Sequence, residues 1–202
     1  MRHFELQASK ALCVKTMATK VLFFDTSAII KIFLQEKGSD VVKWLIQTKA
    51  ASRLHFVINE KVCNEFSERI KEFSVSRPHL NINAERTLNL FFNHYAGYKF
   101  RVIGQEIISN TKEEQNLSMI IEELNLTIGK NDWDALHYQS IVNALAYLGG
   151  ESHPILVSGD NNFVKKVARK GYRVINLNKQ SLEEIKVWHN NAFNVDTHKS
   201  GI

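Results

Sequence analysis

The chain has 202 residues, 44% of them hydrophobic and 10% aromatic, which suits one globular domain able to bury a core of its own. No apolar stretch approaches the ~20 residues of a membrane helix, and the N-terminus, with Glu5, Gln7 and Lys10 early, lacks the apolar centre of a secretory signal. A cytoplasmic protein is expected, one that Cys13 and Cys63 are too few to supply with a disulfide framework or a zinc quartet, and whose net charge of +5 permits a polyanionic partner.

Residues 1–19 fit poorly onto the first strand and are set apart as an N-terminal extension; Met17 lies inside it. Apolar runs then recur as Val21 to Phe24, Leu54 to Ile58, Phe100 to Ile103, Ile155 to Val157 and Tyr172 to Ile175, separated by segments of helical spacing. That alternation predicts α/β architecture: a three-layer α/β/α domain over residues 20–190, with a central, mainly parallel sheet of about five strands. Unbroken apolar strands are what a sheet covered on both faces requires. Between strands, Ser39 is placed to cap the helix holding Val42 and Leu45, and a helix from Glu60 to Phe73 carries Val62, Phe66, Ile70 and Phe73 on one side. Residues 76–128 read as a helical elaboration around the Phe100 run. A helix from Trp133 to Leu148 precedes the Gly149-Gly150 loop, Gly171 stops the helix after Asp160, and Ser181 with Glu184 spells a capping box. Residues 191–202 read as a frayed tail.

The acids carry the chemistry. Asp25 and Asp160 each close an apolar strand, and strand ends of open α/β sheets are where ligands bind. Asp134 shares a helical stripe with Tyr138, Ile141, Leu145 and Leu148, whereas Asp132 is turned about 200° away. Glu65 lies three residues after Val62 at the edge of the apolar side of its helix, with Glu60 and Glu68 turned outward. Each acid has a plainer role open to it: Asp25, Asp134 and Asp160 as helix N-caps, Glu65 as the partner of Arg69 or a group reaching solvent. Should they converge, like charges about 4 Å apart repel by ~4 kcal/mol at an effective dielectric near 20. Such a cluster calls for Mg²⁺ or Mn²⁺, hard ions that take oxygen ligands, in a chain without HExxH or paired cysteines.

The strings Val-Leu-Phe-Phe-Asp25-Thr26-Ser27-Ala28, Asn59 with Glu65 six residues later, Asp134-Ala135-Leu136-His137, and Val157-Ser158-Gly159-Asp160-Asn161-Asn162-Phe163 occur in that order between Lys20 and Leu177. Together they resemble the PIN-domain nucleases, in particular the VapC-type toxin ribonucleases. The resemblance implies a PIN-like fold with Asp25, Glu65, Asp134 and Asp160 around one or two Mg²⁺ or Mn²⁺ ions and Ser27 supporting that shell by hydrogen bonding. Asn162 stands where the family often has another acid, and an amide adds no negative charge, so a single ion at rest is expected.

The implied reaction is metal-assisted hydrolysis of an RNA phosphodiester. Asp25 and Asp160 would be the first ligands and Asp134 would complete the coordination, while Glu65 would bind metal or orient the water. Lys165, Lys166 and Arg169 are candidates for holding the RNA backbone, though cations late in a helix also complement its dipole. His137 reads as structural. The family likeness further implies a small antitoxin covering the acidic pocket, and a homodimer to which Phe91-Phe92 could contribute if they are not core. The competing readings are a housekeeping RNA-processing PIN nuclease and a non-catalytic PIN-like module that binds RNA or protein. A HAD phosphohydrolase would need a second aspartate where Ser27 stands, and no GxxxxGK or GxGxxG follows the first strand.

Overall fold

Each of the five apolar runs forms a strand in the computed structural model, which describes residues 20–48, 54–103 and 155–194. β1 (Lys20–Phe24), β2 (Leu54–Asn59), β3 (Arg101–Ile103), β4 (Ile155–Ser158) and β5 (Arg173–Asn176) make one sheet of order β3-β2-β1-β4-β5, parallel at every pairing. Between them run α1 (Thr26–Phe33), α2 (Ser39–Thr48), α3 (Glu60–Ser76), a 3₁₀ turn (Pro78–Leu80), α4 (Ala84–His94) and α5 (Asn161–Arg169), and α6 (Leu182–Asn194) follows β5.

The order steps away from β1 in both directions, through β2 to β3 and through β4 to β5. With helices between the parallel strands the fold is three-layer α/β/α, with a topological switch point between β1 and β4. After β5, α6 returns to pack on α2, where the Trp44 and His189 ring centroids lie 5.3 Å apart. Val21 to Phe24 and Ile155 to Val157 are buried accordingly. Phe24, Phe56 and Phe100 form an aromatic layer with centroids 5.0–6.0 Å apart, and Phe33, Phe66 and Phe91 clamp α1 against α3 and α4. Phe91 is therefore core, while its neighbour Phe92 is exposed.

Most start and stop signals act as expected. Ser181 and Glu184 exchange the capping-box bonds, which hold the Glu184 carboxyl below its ordinary pKa, and Gly171, at φ +86°, follows the end of α5. Ser39 behaves differently. Its hydroxyl turns back into the α1–α2 loop, donating to the Leu34 carbonyl and accepting from the Glu36 amide, so α2 starts instead on the Gly38 carbonyl, which accepts from Val42. The elaboration expected at 76–128 contains α4 and β3 as far as Ile103, and α6 carries helix into the supposed tail, to Asn194. The extension 1–19, the Trp133 to Leu148 helix and Gly149-Gly150 lie outside the described residues. No described helix is long and apolar enough to cross a membrane.

Gly38 is fixed by a close approach: its φ is +84°, and a Cβ there would lie 2.2 Å from the Leu177 carbonyl oxygen. Gly38→Ala is expected to cost about 2 kcal/mol or more, read as a lower urea midpoint; an unchanged midpoint would show that the α1–α2 loop is not pinned against the end of β5.

Candidate active site

Asp25 occupies the switch point. Its backbone N–H extends the β1–β4 ladder by donating to the Val157 carbonyl at 3.2 Å, and the chain turns there into α1. Oδ1 accepts from the Ala28 amide and the Ser27 hydroxyl, both at 2.8 Å, and Oδ2 accepts from the Ser158 hydroxyl at 2.5 Å. The residue is only 4% exposed, a location that a carboxylate tolerates when donors replace its water. The helix-cap role and the strand-end site thus fall on one side chain.

Asp160 follows β4 and caps α5, its Oδ1 accepting from the Asn162 and Phe163 amides at 2.7 and 3.0 Å. Neither bond uses Oδ2, and the residue is exposed. What joins it to Asp25 is Ser158, whose Oγ donates to Asp25 Oδ2 and accepts from the Asp160 amide at 2.9 Å. A second strut runs alongside: Ser27 Oγ, while donating to Asp25, accepts from the Gly159 amide at 2.6 Å. Ser27 thus hydrogen-bonds Asp25 at the end of β1 and Gly159 beyond β4.

Glu65 arrives from α3. Asn59 caps that helix, its Oδ1 accepting from Val62 at 2.7 Å, which sets the phase that turns Glu65 inward. Its carboxylate, 15% exposed, accepts from the Thr26 hydroxyl at 2.5 Å and faces Arg69 Nε at 3.8 Å. The (i, i+4) pair with Arg69 is therefore present, and Thr26 ties the same carboxylate to the residue after Asp25. Arg69 also reaches Glu72 at 3.0 Å and is half exposed, so its attraction for Glu65 is screened by solvent. Glu60 and Glu68 point outward.

Asp25, Asp160 and Glu65 are thus tied to the same Asp25-Thr26-Ser27 turn. Among the described residues, no three His, Cys, Asp or Glu side chains form by themselves a group able to hold a metal ion. Asp134 and His137, with Asp132, lie outside the described residues. The donor set suits a hard cation nonetheless: every group offered is a carboxylate oxygen or a hydroxyl, with neither thiolate nor imidazole among them. Cys63 is no competitor, since burial and the nearby Glu60 push its thiol up to about 11. On α5, Lys165 and Arg169 are exposed and Lys166 half-buried, while Phe163, Val164 and Val167 hold the helix to the core. Asn162 is exposed and its amide serves the Asp160 cap.

Sequence reasoning passed over Lys31 and Asn178, and quoted Thr26 and Ser158 without giving either a role. Lys31 had a visible signal, a cation inside the apolar run of α1. It is buried, pairs with Glu36 at 3.4 Å, and lays its stem over Gly159, where a Cβ would lie 2.5 Å from Lys31 Cε. Asn178 had none, because its contact is with backbone from another strand.

No protein-family model matches the chain, and no curated protein matches it. Among solved structures it is similar to VapBC2 from Rickettsia felis bound to a DNA fragment from their promoter, at 14% identity and TM-score 0.45 over 77% of this chain and 98% of that one. It is also similar to PAE2754 from Pyrobaculum aerophilum, at 19% identity and TM-score 0.47 over 88% of this chain and 94% of that one.

Ser158→Ala removes the donor to a buried carboxylate oxygen and the acceptor for the Asp160 amide at one stroke. A loss of ~1–3 kcal/mol in urea unfolding is expected, with Ser158→Thr, which keeps the hydroxyl, much closer to the parent. Equal stability of parent and Ser158→Ala would mean that the strut carries no load.

Proposed function

We propose that this protein is a PIN-like ribonuclease that hydrolyses RNA phosphodiester bonds with one Mg²⁺ or Mn²⁺ ion, and that it is the toxin of a toxin–antitoxin pair. The observation that supports the reading most strongly is the Ser158 link between Asp25 and Asp160, with Glu65 bound to the adjoining Thr26. Three acids from two strand ends and a helix are held at one sheet edge, against their mutual repulsion, which a bound cation would relieve.

Asp25 and Asp160 are the ion's first ligands in this reading, and Asp134 completes the set. When bound, the ion supplies an activated water and offsets charge developing on the phosphate. Glu65, with one oxygen engaged by Thr26, adds a ligand or orients the attacking water. The Asp25 carboxylate is fixed by its hydrogen bonds before substrate arrives, so no reorganisation is needed at the moment of reaction. Lys165, Lys166 and Arg169, five to nine residues beyond Asp160, place positive charge along α5 where a phosphate backbone could lie. Those contacts hold RNA without reading its sequence. The toxin role, the small antitoxin and the homodimer follow from the sequence resemblance to the VapC-type nucleases.

Purified protein incubated with a mixed RNA pool is expected to cleave it in Mn²⁺ or Mg²⁺ and to stop in chelator. Asp25→Asn and Asp160→Asn should each lower the rate by about 10²-fold or more. Cleavage that survives chelator, or that persists in both variants, would overturn the proposal.

A further inference from the structure

Asp160 reaches the rim from an exposed loop, and two asparagines at the end of β5 bracket it. Asn178 donates its side-chain amide to the Gly159 carbonyl, one residue before the acid. Asn176 donates its own to Asn161 Oδ1, one residue after it, at 2.9 Å. The bracket is anchored independently of Asp160: Asn176 is 7% exposed, its Oδ1 accepts from the Asn178 amide at 3.0 Å, and the Leu177 amide donates to the Ser158 carbonyl at 2.9 Å. Gly159 is gripped from two further sides, by the Ser27 hydroxyl on its N–H and the Lys31 stem against its α-carbon.

We infer that Asn176 and Asn178 are positioning residues for Asp160, holding the Asn161 side chain after it and the Gly159 carbonyl before it so that the acid is presented beside Asp25 rather than swinging with the loop. The inference rests on the reading of Asp160 as an ion ligand. An amide suits the task because it carries a donor without a charge; a lysine there would compete with a cation, and a carboxylate would repel the Gly159 carbonyl. Outer groups that orient a ligand rather than touch the ion typically tune affinity by ~10–100-fold.

The test compares Asn178→Ala, the similarly shaped Asn178→Leu and Asn176→Ala with Gln180→Ala. Gln180 accepts from the Asn176 amide at 2.7 Å in the same loop but has no bond to Gly159 or Asn161, so its loss reports a merely structural effect. Two readouts are taken on folded protein. In the asparagine variants the amides of Asp160, Asn162 and Phe163 should exchange hydrogen ~10-fold faster, and Mn²⁺ affinity, followed by electron paramagnetic resonance, should fall ~10-fold. Gln180→Ala should leave both near the parent. Should the parent itself bind no Mn²⁺, the ion reading fails and hydrogen exchange alone decides the bracket. If the Asn178 variants and Gln180→Ala are indistinguishable in exchange and affinity, the inference is overturned.

Discussion

The Ser158 hydroxyl stands between two carboxylate-bearing turns, donating to Asp25 Oδ2 and accepting from the Asp160 amide. Ser158 is fully buried at the end of β4, and its position follows from the parallel register that sets Phe24 beside Val157. One residue beyond that pair, β1 has ended at Asp25 while Ser158, the last residue of β4, still pairs with Asn176 of β5, and the serine and aspartate meet. The sheet therefore does more than carry the acids to one edge: its register determines which oxygen each acid has engaged. A slip of one residue would turn Ser158 to the other face and leave a buried carboxylate short of a donor, a loss that a marginally stable domain feels strongly.

Among the described residues, hydroxyls and backbone amides make the close hydrogen bonds to Asp25, Asp160 and Glu65. Arg69, half exposed, is shared between Glu65 and Glu72, while Lys31 pairs with Glu36 and lays its side chain against Gly159. Hydroxyls and amides can hold an acid in place without cancelling its charge, whereas a buried arginine beside Asp25 would neutralise it. An edge that keeps negative charge in fixed positions is what a divalent cation requires, and a chain of net charge +5 that keeps such an edge departs locally from its own average.

Much of this was legible in the sequence, for identifiable reasons. Unbroken short runs such as Val21 to Phe24, alternating with helical segments, are what interior strands of a sheet covered on both sides require, so all five strands were placed to within a residue or two. Glu65 could be turned inward from helical phase alone, because Val62, Phe66 and Ile70 define the buried face of α3. Side-chain hydrogen bonds between distant segments have no periodicity and left no such mark. Thr26 meets Glu65 across 39 residues and Asn178 meets Gly159 across 19, contacts that depend on how layers are stacked. Ser39 shows the same limit at short range, since a hydroxyl ahead of a helix can serve the helix or the preceding loop, and the Gly38 contact with Leu177 decided for the loop.

In the proposed function one hard cation sits between Asp25 and Asp160. Anomalous diffraction from crystals soaked in MnCl₂ addresses it directly. A single manganese peak bonded to carboxylate oxygens of both aspartates, at about 2.0–2.3 Å, is expected. A peak bonded to neither, or none at millimolar Mn²⁺, would contradict it.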